Sequence, residues 1–122
     1  MVEPRGADTG TRGHAMTESG WSKREKEIVR RAFDAAYERE CSAIAEEARK
    51  GMAGAHDAAG LWRVHDFLSK KRKEIDQKYD YRYSVLTRVF GILVGEGRLT
   101  RDDLAGLSEE KIAEIIRIAE IQ

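Results

Sequence analysis

The chain has 122 residues, with 22 Lys and Arg against 22 Asp and Glu, so its formal net charge is zero. That length suits one small domain, and the neutral total supplies no general field to collect nucleic acid or acidic lipid. A single cysteine, Cys41, excludes an intrachain disulfide, and no apolar run approaches the roughly 20 residues of a membrane-spanning helix.

The amino end carries no apolar signal core, so a cytoplasmic protein is expected. Residues 1–20 hold Gly6, Gly10, Gly13, Gly20 and the only proline, Pro4, with no apolar period. They read as a disordered tail or an upstream extension.

Order is expected from Ser22. "SKRE" (Ser22 to Glu25) has the form of a capping box, in which hydroxyl and carboxylate satisfy free amides at a helix start. The first helix carries Val29, Phe33, Ala36, Tyr37, Ile44 and Ala48 on one stripe and should end near Gly51. Two short helices further on cannot cover so long a stripe, so it invites a partner helix. Asp57 is a good N-cap for a second long helix. Its apolar face is Leu61, Val64, Leu68, Ile75 and Tyr79, and it should end near Asp80. A third helix holds Val85, Leu86, Val89, Phe90 and Leu93, and Gly95 to Gly97 stop it. Thr100 caps a further turn, with Leu99 and Leu104 as a hydrophobic staple, and Ser108 opens a last helix with Ile112, Ile115, Ile116 and Ala119. No segment alternates with period two long enough to be a strand. The expected fold is all-α, with two long helices over residues 21–80 and shorter helices over residues 81–122. Phe33, Tyr37, Ile44, Leu61 and Leu68 are the candidate dimer contacts.

Catalytic chemistry finds little support. His65-Asp66 has the form of a metal-phosphohydrolase pair, but such a site needs further ligands from several helices. The other histidines are His14, in the tail, and His56, at a turn. Cys41 lacks an adjacent base with an orienting group. No glycine-rich phosphate loop is present. No enzyme, metal or cofactor is expected. "KKRK" (Lys70 to Lys73) points in four directions on a helix, so it forms no single basic face, and no nucleic-acid or membrane partner is expected.

Trp62, His65, Asp66 and Ser69 lie together beside the apolar face of the second helix. Spacing leaves two readings open. Trp62 is an interface anchor, or it lids the core edge with its indole N–H bonded to Asp66 or a carbonyl. Glu40 and Arg72 each intrude on an apolar stripe and need partners. A Glu40–Arg72 bridge, within or between chains, is one solution; a snorkelling Arg72 is the other.

At these residues the chain resembles the fluorescence recovery proteins of cyanobacteria. The matching stretches are "AYERE" (Ala36 to Glu40), preceded by Phe33, and "LW-VHDFLS-KR-EID-KYD-R-SVL" from Leu61 to Leu86, with Phe90 and Gly97 beyond. The likeness spans roughly residues 21–99, and the carboxyl end matches poorly. The resemblance implies a helical homodimer without enzymatic activity or cofactor, in which residues 21–80 form a stalk that dimerises and residues 81–122 a smaller helical head. It implies binding to the light-activated orange carotenoid protein, chiefly its carboxyl-terminal domain. Its return from red to orange would then be faster, and it would detach from the phycobilisome. The functional positions implied are Trp62, His65, Asp66 and Arg72. Arg88 stands where the family usually has an aromatic residue implicated in partner contact, and Ala45 where a larger aliphatic dimer contact is expected. Where the carotenoid protein is absent, the same scaffold would act as a dimeric adaptor for an unknown protein.

Overall fold

The computed structural model of the protein describes residues 20–121. The tail reading, His14 included, concerns residues 1–19, outside the described range, and residue 20, which is described. Helix α1 is Lys23–Ala53, α2 Ala58–Lys78, α3 Leu86–Gly95 and α4 Glu109–Glu120. Single 3-10 turns lie at Tyr83–Val85 and Arg101–Leu104. Among the described residues there is no strand, and the fold is all-α.

The helix starts follow their local chemistry. Ser22 Oγ accepts the Glu25 N–H at 3.1 Å while Glu25 accepts the Ser22 N–H at 3.1 Å. Asp57 accepts the Gly60 N–H at 2.8 Å, and Ser108 accepts the Lys111 N–H at 3.2 Å. Thr100 and Asp103 form a second capping box, flanked by buried Leu99 and Leu104. Each such cap satisfies amides that the first helical turn leaves without partners. The ends differ modestly from expectation: α1 continues past Gly51 to Ala53, and α2 stops at Lys78.

The core gathers Val29, Ala32 and Ala36 of α1, Leu86, Val89, Phe90 and Leu93 of α3, Leu99, Leu104 and Leu107 of the connections, and Ile115 of α4. The amino-terminal part of α1 is therefore a wall of the carboxyl-terminal core. Its carboxyl-terminal part leaves that core and runs beside α2. Of the apolar face expected on α2, Ile75 is buried, but Leu61 and Leu68 stay 43% and 42% exposed. The reason is coverage: among the described residues α1 is the one helix packed along α2, and one helix covers only part of a stripe.

Helices α3 and α4 pack closely across Gly91. A Cβ there would stand 2.5 Å from Ile118 Cβ and 3.2 Å from the Ile115 carbonyl oxygen, with Ile118 Cγ2 also in its way. Gly97, at φ +79°, then takes the left-handed conformation that ends α3. Alanine is the better helix former by about 1 kcal/mol, whereas overpacking a close contact costs about 1–3 kcal/mol. Gly91→Ala is thus expected to lower the urea midpoint. Adding Ile118→Ala should make the two changes non-additive, because it removes the branched carbons that crowd the new methyl group and lets the helices readjust. Additive effects in a double-mutant cycle would contradict this packing account.

Candidate functional site

The solvent face of α2 carries the first group of site residues. Trp62 is 57% exposed, so it does not lid the core. Its ring meets His65 edge-on at 5.7 Å between centroids. His65 Nδ1 lies 3.3 Å from Asp66 Oδ1. Asp66 is therefore engaged by the imidazole rather than by the indole. The three side chains make an aromatic platform with an acidic rim, a form suited to a protein contact.

Arg72 does not join that group. It lies ten positions beyond Trp62, or about 15 Å along a helix rising 1.5 Å per residue. Its Nε donates to both carboxylate oxygens of Asp76 at 3.2 Å. Both side chains are exposed. Tyr37 of α1 lies within electrostatic reach of this pair. The Cys41 thiol, one turn along α1, is the main cause that raises the Tyr37 hydroxyl above its ordinary range, and Arg72 opposes it. The remaining basic run disperses as expected: Lys71 pairs with Glu74 at 3.4 Å while Lys70 and Lys73 point to solvent.

Glu40 corrects the expected intrachain bridge. Its carboxylate, in a residue 6% exposed, accepts Lys78 Nζ at 2.8 Å and the Tyr79 hydroxyl at 2.8 Å. Arg98 Nε stands 3.5 Å away as a further cation. Lys78 also donates to Glu96 at 2.7 Å. Lys78 and Tyr79 sit where α2 ends, within reach of α1, whereas Arg72 lies on the exposed side and finds Asp76 one turn on. The i,i+4 spacing of Arg72 and Asp76 was the signal that could have shown this pairing. Nothing so local marks the Glu40 cluster.

Arg88 of α3 is exposed in the head, and its charge helps hold the nearby Asp80 carboxyl below its ordinary range, after the larger effect of the Arg82 hydrogen bond. Of the candidate dimer contacts, Phe33 is 8% exposed and packs edge-on with Tyr79 and Tyr81 inside the chain. Tyr37, Leu61 and Leu68 are open, and Ile44 is half-buried. Among the described residues no group of three or more His, Cys, Asp or Glu could hold a metal ion, and no helix is long and apolar enough to cross a membrane.

The family model described as photoprotection regulator fluorescence recovery protein matches residues 21–119. This chain belongs to the fluorescence recovery protein family. The match runs well past Leu99, so the family likeness includes α4, which the matching motifs did not reach. The fluorescence recovery protein of Synechocystis sp. (strain ATCC 27184 / PCC 6803 / Kazusa) is 36% identical over 104 residues, covering 85% of this chain and 95% of that protein. The solved fluorescence recovery protein of Fremyella diplosiphon superposes with a TM-score of 0.77 at 43% identity, covering 82% of this chain and 98% of the other. The solved structure from Synechocystis sp. PCC 6803 gives 0.77 at 36% identity, with the same coverage, 82% and 98%. The family is a regulatory one in photoprotection, and it is not a known enzyme family.

In this fluorescence recovery family member, the Glu40 cluster joins the surfaces that carry Trp62 and Arg88. Burial pushes the Glu40 carboxyl up, but hydrogen bonds from Lys78 and Tyr79 and the charges of Lys78 and Arg98 outweigh it, leaving a net lowered pKa. Glu25 behaves likewise: burial raises it, while the Ser22 and Ser108 amides and Lys111 lower it further. A depressed carboxylate contributes stability that is present above its unfolded value of about 4.3 and is lost as pH falls through its folded value. The melting temperature should therefore fall as the medium is acidified below that range. Glu40→Gln should flatten part of this loss and cost about 1.5–3 kcal/mol at neutral pH, the range for hydrogen bonds to charged groups. An unchanged acid limb in the Glu40→Gln melting series would rule out this role.

Proposed function

We propose that this chain binds the orange carotenoid protein, chiefly its carboxyl-terminal domain, and accelerates its relaxation from the red to the orange state, ending energy quenching at the phycobilisome. Membership in the photoprotection-regulator family supports the reading. The single observation that carries it to particular residues is the exposed Trp62 platform with His65 and Asp66. Acceleration requires differential affinity: the regulator must hold the relaxing conformation better than the activated one, since equal affinity shifts nothing. Arg72 and Arg88 act as outlying charged contacts in this reading.

Arg88 favours a second reading, a dimeric adaptor with another protein partner. An arginine in place of an aromatic anchor adds a charge whose desolvation weakens contact unless an acidic group meets it. Matched by an acidic group, it favours that partner over others. The red-to-orange relaxation rate of a carotenoid protein separates the readings. The chain should accelerate it. Trp62→Ala should cost about 2 kcal/mol of contact, a loss near thirtyfold in apparent affinity, Arg72→Ala should weaken the effect, and Arg88→Phe should strengthen it. No acceleration by the chain or by Arg88→Phe would move the assignment to the adaptor.

The functional unit in this proposal is a homodimer. Tyr37, Leu61 and Leu68 are exposed on the α1–α2 hairpin, and Ile44 is half-buried beside them. A seam along this face lies next to the Trp62 platform on α2. Ile44→Glu would remove apolar burial worth about 2 kcal/mol per chain and set a charge in the seam. Light scattering at micromolar concentration should give a dimer mass for the unmodified chain and a monomer mass for Ile44→Glu. A monomer for the unmodified chain would defeat the proposal.

A further inference from the structure

A groove of about 550 Å³ opens at the other end of α1, between its first turns and the segment after α2. Its floor is Tyr81 and Tyr83, and its rim is Lys23, Lys26, Arg30 and Arg31. Arg30 lies 4.4 Å over the Tyr81 ring and Lys26 5.1 Å over the Tyr83 ring. The two tyrosines pack on each other at 5.7 Å, and Trp21 backs Tyr83 at 6.0 Å. Glu27 is the one acidic side chain in the lining. Among the described residues, only Arg30 of the four cations is paired with a carboxylate, Asp34 at 3.2 Å. Positive charge is therefore left over on a chain whose total is zero.

We propose that this groove is a second docking site, for an acidic segment of a partner protein that carries an aromatic or aliphatic side chain among its carboxylates. The parts of the tyrosine rings that Lys26 and Arg30 leave uncovered accept the apolar side chain, and the four cations meet the flanking charges. Stacking on the rings limits the freedom that Lys26 and Arg30 lose on binding, which favours an extended acidic chain. The groove is separate from the Trp62 platform. Val64, close to Trp62, lies against Gly51, 25 positions along α1 from Lys26, a separation of roughly 37 Å in a straight helix. One chain could thus hold two surfaces of different chemistry. This inference does not depend on which protein the platform binds.

The test uses the full chain and a fluorescent Glu-rich peptide with a central Phe, read by anisotropy at low salt. Binding should weaken as salt rises. Lys26→Glu combined with Arg30→Glu should reduce affinity on the order of tenfold, with the helical circular-dichroism signal retained. Lys70→Glu combined with Lys73→Glu, on α2, should leave it unchanged. A peptide with Gln in place of Glu should bind at least roughly tenfold more weakly. Absence of binding, equal loss in both double variants, or equal affinity for the Gln peptide would overturn the proposal. So would tighter binding of a single-stranded oligonucleotide, which would make the groove a nucleic-acid contact. If the Lys26→Glu, Arg30→Glu chain changes mass in light scattering, the occupant is a second copy and the proposal also fails.

Discussion

The carboxylate of Glu40 is the point on which the two ends of this molecule depend. It lies midway along α1, where that helix leaves the core and continues beside α2. Lys78 and Tyr79 reach it from the end of α2, and Arg98 from the turn after α3. Lys78 also holds Glu96, so the cluster closes between the hairpin and the head. A buried charge with one partner removed is costly, whereas one surrounded by donors is tolerated and directional. The directionality matters here because the candidate surfaces lie on both sides of it. Burial also raises the Tyr79 hydroxyl, and Glu40 adds to that effect, so Tyr79 stays protonated and donates.

Three further links hold the same frame. Arg39 binds the Asp103 carboxylate at 2.9 Å and the Arg98 carbonyl at 2.8 Å, fixing the turn after α3 against α1. Glu25 accepts the Ser108 amide at 2.9 Å while serving its own capping box, so the start of α1 is tied to the start of α4. Lys111 bridges Glu25 at 3.2 Å and the Gly20 carbonyl at 2.8 Å, and stands over the Trp21 ring. Apolar burial from α1, α3 and α4 supplies the non-directional attraction, and these polar links set the angle and register at which it is realised. α1 is thereby both a core helix and half of an open hairpin.

That double role explains the distribution of exposed apolar side chains. Near Phe33 the stripe of α1 faces the tyrosines at 79 and 81 and is closed within one chain. Beyond Glu40 it packs along α2, and Leu61 and Leu68, with Tyr37 one turn before Glu40, remain open on this hairpin. A charged, polar-faced chain that keeps such residues exposed along one hairpin has a surface suited to another protein. The platform of Trp62, His65 and Asp66 continues this surface on α2, and the cationic groove stands at the far end of α1.

The sequence by itself determined the helices and their starts, since caps and apolar periods are short-range features: Ser22 with Glu25, Asp57 with Gly60, Thr100 with Asp103, and Ser108 with Lys111 all act within one turn. It also placed Trp62, His65 and Asp66 on one face, because residues three and four apart on a helix are neighbours. Only the tertiary structure decided which stripes are closed within the chain. Phe33 and Leu61 look alike as apolar positions, yet one is covered by residues about 48 positions away and the other is left open. Only the tertiary structure decided that Glu40 meets Lys78 and not Arg72, because a partner 38 positions distant depends on where α2 stops and how the chain turns. It likewise brought Lys26 and Arg30 over Tyr83 and Tyr81. Local pattern carries local geometry; contacts between distant segments depend on how the whole chain packs.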